Sequence, residues 1–383
     1  MKRGFRIFVV AACAVLLACA AVSVGAAPKQ KDFVIGFANG YFGNTWRAQF
    51  MDEAQAAADK WIKKGIIKKF IPVQVNDDVT KQIVQLNSLI DQGVDCLVIN
   101  PVSAEALAPV IKRAKQAKVL VVNVDDPFAY EGVYSVIQDQ HSQFGIQAKW
   151  LAEQLKDKGD VNAVYISGLA GNTASNIRDY EMDQILKQYP NIHLLGRADG
   201  GWNETKAQQI MSNFLASYPK IDAVFTQDIA PFGELRAYDI AGKPYPMMNL
   251  DYVMGTLRKW AAVPNFKSIA YNDFPSIGMW GVEFAVRLLM GGKVKPEMLV
   301  PSPVNAKIKS TILIQGTYIV TLDGTCPPEV FKAFPQVTPV STKVVSLKEA
   351  LKIGEGQPDT WNLDTGFTDE QVDSYFVSSS KTW

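Results

Sequence analysis

The strongest constraint on how this chain can fold is an alternation of short apolar runs with amphipathic helical stretches, which passes through once and then begins again. FVIGFA precedes a helical pattern over 46–64, FIPVQV one over 80–92 and CLVIN one over 104–116, and VLVVNV closes the first series. The second series runs VNAVYIS, a helix over 175–188, NIHLLGRA, a helix over 204–217, AVFTQ, a helix through Leu235 and Tyr238, PMMNL and SIAYND. Strands buried on both faces read as near-continuous apolar runs, and their alternation with helices indicates parallel sheets. Two series therefore predict an α/β protein of two doubly wound lobes. Length agrees, since a single core stops growing near about 250–300 residues and this chain has 383.

An export signal precedes the first strand. Lys2, Arg3 and Arg6 make a positive start, FVVAACAVLLACAAVSV an apolar centre and VGAAPKQK a small-residue end. A membrane-spanning helix needs about 20 apolar residues and usually a charged stop, whereas this run thins into Ala, Ser and Gly before Lys29. Residues 1–26 are read as a signal peptide and the periplasm as the destination. A lipid-anchored form through Cys19 of the LLAC run is the alternative. The chain holds 39 basic and 38 acidic residues, so loss of the three basic residues of the signal leaves 36 against 38, a formal charge of −2. Nucleic acid is not an expected partner, because phosphate binding needs a concentrated positive surface. Cys13 and Cys19 fall in the signal; Cys96 sits in an apolar strand, and its pairing with Cys326 is allowed but not required by the sequence.

In open parallel sheets, ligands sit beyond the carboxyl ends of the strands, at helix N-termini. Those positions here hold Asn39, Phe42, Asn44, Trp46 and Arg47 after the first strand, and Asp125, Asp126 and Phe128 after VLVVNV. In the second series they hold the GLAGNTASNIR loop ending at Arg178, then Asp199 to Trp202, Asp228, Asp251 with Tyr252, and Asn272 with Asp273. Carboxylates, amides and arginines offer bidentate hydrogen bonds to neighbouring hydroxyls, and aromatic faces cover C–H surfaces. The mixture suits a sugar, while the number of carboxylates leaves an amine-bearing ligand open.

The segments FANGYFGNTWR, INP after Cys96, VVNVDD, GLAGNTASNIRD, AVFTQD and SIAYNDFPSIG, in this order over about residues 31–304, resemble the periplasmic sugar-binding proteins of ABC transporters, of the ribose-binding type. The resemblance implies two lobes joined by three crossings that form a hinge and close on a sugar, which a membrane ABC permease then receives. It places the N-terminal lobe at 31–138 plus 273–303 and the C-terminal lobe at 139–272 plus 304–325. It also implies a monomer with no catalytic residue, metal or cofactor. Carried over, Asn44 and Trp46 match the first-loop amide and aromatic, and Asp125 the acid ending an N-lobe strand. Arg178 matches the arginine after the small-residue loop, Trp202 a stacking aromatic, Asp228 an Asn or Asp, Asp251 an acid and Asn272 the hinge amide. Arg47 and Asp126 complete the expected ligand set. Asp126 stands where ribose binders have arginine, a departure that alters the hydroxyl pattern or the ligand class. Residues 326–383, with GEGQPDTWNL and GFTDEQVDSYF, exceed what such a core needs and could wrap the lobes, add a strand or contact a partner.

Each residue also has a structural reading. Trp46 could be a core plug, Asp125 and Asp126 could start the turn at Pro127, Asn172, Thr173 or Ser175 could cap the next helix, and Arg178 could pair with Asp179 or Glu181. Trp202 could anchor a loop, and Asp228 and Asp251 could be caps. Enzyme readings have little to work with: Gly36, Gly40 and Gly43 lack the G-x-G-x-x-G spacing, and no P-loop or nucleophile elbow occurs. With His141 and His193 as its only histidines, the chain is poorly supplied for a His-based zinc site or triad. A secreted carbohydrate-active enzyme using paired acids and a sensor subunit for a membrane receptor are the alternatives in other functional classes.

Overall fold

A computed structural model describes residues 32–271, 273–337, 342–381 and 383. The expected signal peptide, Cys19 and Asn272 lie outside the described residues. The first series comprises β1 (Phe33–Asn39), α1 (Thr45–Lys63), β2 (Ile67–Gln74), α2 (Val79–Asp91), β3 (Cys96–Ile99), α3 (Ala108–Gln116), β4 (Leu120–Val124) and β5 (Val133–Gln138). The chain then enters α4 (Gln140–Leu155), β6 (Val161–Ser167), α5 (Thr173–Gln188), β7 (Ile192–Asp199), α6 (Glu204–Ser217), β8 (Ala223–Thr226), α7 (Ala230–Ala241), β9 (Met247–Leu250), α8 (Met254–Ala261) and β10 (Ser268–Ala270). It continues through α9 (Ile277–Leu289), β11 (Thr311–Ile314), β12 (Tyr318–Thr321), α10 (Pro328–Ala333), β13 (Lys343–Ser346), α11 (Leu347–Ile353) and α12 (Asp369–Asp373).

Two sheets result, ordered β11-β5-β4-β3-β1-β2 and β13-β12-β10-β9-β8-β6-β7. The first is parallel throughout, and in the second only the β10–β12 pair runs antiparallel. Helices cover both faces of each, as buried parallel strands require. In α1 the apolar face is Trp46, Phe50, Ala54, Ala57, Ala58 and Trp61, all buried at helical spacing. Helix α9 lies so close on the first sheet that a Cβ on Gly281 would come within 2.3 Å of Val124 Cγ1, which requires glycine there.

Crossings between the sheets follow β5, β10 and β11. The last corrects the expected return to the C-terminal lobe at residue 304, because Thr311–Ile314 pair with Ser135–Gln138 as the edge of the first sheet and only Tyr318 begins the second-sheet strand. Its TILI run is too short to reveal from sequence which sheet it joins.

The C-terminal extension adds a strand and wraps the molecule. β13 pairs with β12, and α11 packs against α8. The backbone N–H groups of Met254 and Gly255 donate to the carbonyls of Trp361 and Asp359 at 2.8 and 2.9 Å. Across from them, Asn362 N–H donates to Gln49 Oε1 at 2.9 Å and Ser276 N–H to Asp364 Oδ2 at 2.7 Å. Residues 359–364 thus hold elements of both lobes. Beyond them Phe367 packs on Trp280 with ring centroids 4.0 Å apart, and Val372 and Phe376 are fully buried in the core around α9. Cys96 and Cys326 are both free thiols.

Candidate functional site

The carboxyl ends of the two sheets face each other across a narrow cleft. It is lined by Asn44, Trp46, Arg47, Asp125, Asp126 and Asp273 on one side, and by Ala174, Arg178, Trp202, Asp228 and Ile229 on the other. Its empty space is ≈ 370 Å³ counting the part open to solvent. Local backbone explains how these side chains reach it. Asn44 caps α1 by accepting from Arg47 N–H at 2.9 Å, which sets the first turn at the cleft edge, and its Nδ2 donates across to the Trp202 carbonyl at 3.4 Å. Asn172 caps α5 in the same way, so Ala174 and Arg178 project from its first turns. Three lining residues, Asp125 (φ 66°), Trp202 (φ 49°) and Ile229 (φ 67°), hold left-handed backbone. That conformation is unfavourable for β-branched Ile229 and is the kind of strain that gathers at ligand sites.

Electrostatically, the cleft contains two arginines and four carboxylates. Arg47 Nη1 donates to Asp125 Oδ2 at 2.6 Å and Nη2 lies 3.7 Å from Asp126. Asn100 Nδ2 donates to both acids, at 3.1 and 2.9 Å. Arg178 donates through Nε to Gln140 Oε1 (2.7 Å), through Nη1 to Asp228 Oδ2 (2.6 Å) and through Nη2 to Asp273 Oδ2 (2.9 Å). Gln140 and Gln143 in turn donate to Asp273 and Asp228, each at 2.9 Å. Burial, with repulsion from Asp125, pushes the Asp126 carboxyl up to about 6 against the pull of Arg47. The same two causes raise Asp273 well above the usual carboxylate range.

Of the sequence-derived candidates, Asn44, Trp46, Arg47, Asp125, Asp126, Arg178, Trp202 and Asp228 converge on this cleft. Asp251 does not line it: its Oδ1 accepts from Val253 N–H at 3.1 Å at the start of α8, and burial pushes its carboxyl up to about 7. Tyr252 belongs to the second-lobe core, and Phe42 is exposed. Trp46 lines the cleft and also has the contacts of its structural reading, since its ring stacks on Phe50 with centroids 5.3 Å apart and its Nε1 donates to the Asp273 carbonyl at 2.7 Å. Sequence reasoning grouped Asp273 with the strand ends yet left it out of the ligand set. It missed Gln140 and Gln143 entirely. Their signal is a helix that buries amides, Gln140, Gln143 and Gln147 among them, where apolar side chains would be expected.

Comparison with known proteins points the same way. A family profile described as Periplasmic binding protein domain matches residues 35–293. The chain is 27% identical over 286 residues to a xylitol-binding protein of Mycolicibacterium smegmatis, covering 72% of this chain and 80% of the relative. It is 28% identical over 270 residues to the ribose import binding protein of Salmonella typhimurium, covering 69% and 86%. Among solved structures, an ABC transporter solute binding protein from Thermobispora bispora aligns with a TM-score of 0.66 at 24% identity, over 85% of this chain and 98% of that one. Another from Bacillus halodurans, with bound myo-inositol, aligns with a TM-score of 0.64 at 17% identity, over 81% and 100%. At such identities the structural likeness establishes the fold.

Proposed function

Because this chain belongs to the periplasmic binding protein family, we propose that it captures a monosaccharide or similar polyhydroxylated small molecule between its lobes and delivers it to an ABC transporter permease. The observation that carries this reading is the composition of the cleft, in which Trp46 and Trp202 line opposite sides of paired acids and arginines. Ring faces cover the C–H surface of a polyol, and carboxylates and guanidinium forks bind its hydroxyls. Asn44, Trp46, Arg47, Asp125, Asp126 and Asp273 act as the first docking face; Arg178, Trp202 and Asp228 complete the shell as the lobes close. Ligand binding selects the closed state, and the permease reads that shape. In this reading residues 1–26 direct export to the periplasm, the protein works as a monomer, and it returns its ligand chemically unchanged.

The test is thermal denaturation of the purified mature protein against a panel of monosaccharides, polyols, nucleosides and amino acids. Ligand at 100 times its dissociation constant adds about 2.7 kcal/mol, a shift of several degrees. Trp202→Ala and Asp125→Ala should each abolish most of that shift. A shift with a nucleoside or amino acid and with no sugar or polyol would overturn the ligand class.

A further inference from the structure

Resting on that reading, we propose that the polyhydroxylated ligand of this cleft carries a positive charge, as an ammonium group on a sugar or polyol. Asp125, Asp126, Asp228 and Asp273 face Arg47 and Arg178, a formal excess of two negative charges among the lining side chains. All six residues are at least nine-tenths buried. The arginines are already committed: Arg47 to the first two acids and Arg178 to the last two. An independent observation locates the deficit, because Asp273 Oδ1 is buried and has no hydrogen-bond partner in the protein.

Hydroxyls can donate to these oxygens, but they are neutral dipoles, so with a neutral ligand the excess is relieved only by protonation of Asp126 and Asp273, whose carboxyls burial and repulsion from Asp125 push up. An ammonium group brings a full charge and three donors with no acceptor to satisfy, which matches an acid-rich wall. No lysine lines the cleft to supply that charge from the protein. A metal ion does not fit either, since no group of three or more His, Cys, Asp or Glu among the described residues could hold one. The charge that would let all four acids stay ionised is then an organic one carried by the ligand.

Isothermal titration at pH 7.5 with matched pairs decides it: glucose against glucosamine, and myo-inositol against an amino-deoxyinositol, with putrescine as an amine lacking hydroxyls. The expected result is that an aminated member binds about tenfold or more tighter than its neutral twin. Asp273→Asn should shrink that ratio more than it changes affinity for the neutral compound. Neutral members binding as tightly as aminated ones would overturn the charged ligand and leave sugar capture standing. Binding of putrescine alone, or of nothing in the panel, would overturn both.

Discussion

Two clusters of buried charge in this molecule contrast. In the cleft, two arginines face four carboxylates around an open space, and one carboxylate oxygen has no donor. Beneath the C-terminal extension, Arg287 and Lys60 meet Glu283, Asp369 and Asp373 with no such gap. Both oxygens of Glu283 are engaged, one by Lys60 and the other by Arg287 and by Trp61 Nε1 at 2.9 Å. Arg287 lies 5.4 Å from the ring centroids of both Trp61 and Trp383, and Trp383 Nε1 donates to Asp373 Oδ1 at 2.8 Å. Side chains of Asp369 and Asp373 are partly exposed, so water shares their charge. The second cluster is a completed network that fastens the extension to α1 and α9. The first is left incomplete by the protein's own side chains, and the proposed binding reading rests on that difference together with the open cleft.

The largest expected effect breaks the completed network. Arg287→Met leaves Glu283 buried and underpaired, and should destabilise the fold by about 3–5 kcal/mol in urea denaturation. Ligand affinity of the folded fraction should stay unchanged, because Arg287 is not among the residues lining the cleft. A large loss of affinity at unchanged stability would reverse the roles assigned to the two clusters.

A pH titration contrasts the clusters by sign. Burial raises Asp126 to about 6, Asp251 to about 7 and Glu234 to about 8, against about 4 for exposed carboxylates. Between those values the folded state binds more protons than the unfolded state, so stability falls as pH rises. The ligand-free melting temperature should therefore drop from about pH 5 to about pH 8.5. Asp369 shifts the other way: although burial opposes it, hydrogen bonding and attraction from Lys60 and Arg287 lower its carboxyl. Its contribution is present throughout that window and fades only as pH falls below the ordinary carboxylate range. A melting temperature that climbed toward pH 8.5 would contradict the assignment of excess buried carboxylate.

The smallest effect sharpens the cleft itself. Asp126→Asn removes one of two neighbouring acids and should stabilise the ligand-free protein on the order of 1 kcal/mol at pH 7.5, while weakening binding of an aminated ligand. Calorimetric scans with and without ligand would read both changes, and destabilisation of the free protein would show that Asp126 serves the fold.

Much of the fold was legible because buried parallel strands advertise themselves. FVIGFA and VNAVYIS fall within or on β1 and β6, and the cap expected among Asn172, Thr173 and Ser175 stands at the start of α5, whereas the capping role of Asn44 was not read from the sequence. β5 and α4 escaped notice: VYSVIQ interrupts its apolar run with polar residues, and α4 buries amides as well as apolar groups. For the site, residue type and strand-end position were enough to collect eight of the lining side chains. They were not enough to separate Asp251 from Asp273, since both follow a β-strand of the second sheet and only the turn of the chain decides which carboxylate faces the cleft.

The sequence alone determined two parallel-sheet lobes and a set of polar strand ends, because burial period and chain order are local properties written residue by residue. Tertiary structure decided that Thr311–Ile314 close the first sheet, that residues 359–364 bind both lobes, and that four aspartates share two arginines. Those outcomes depend on distances between segments far apart in the chain. The charge balance of a buried site is a sum over such distances, which no single stretch of sequence contains.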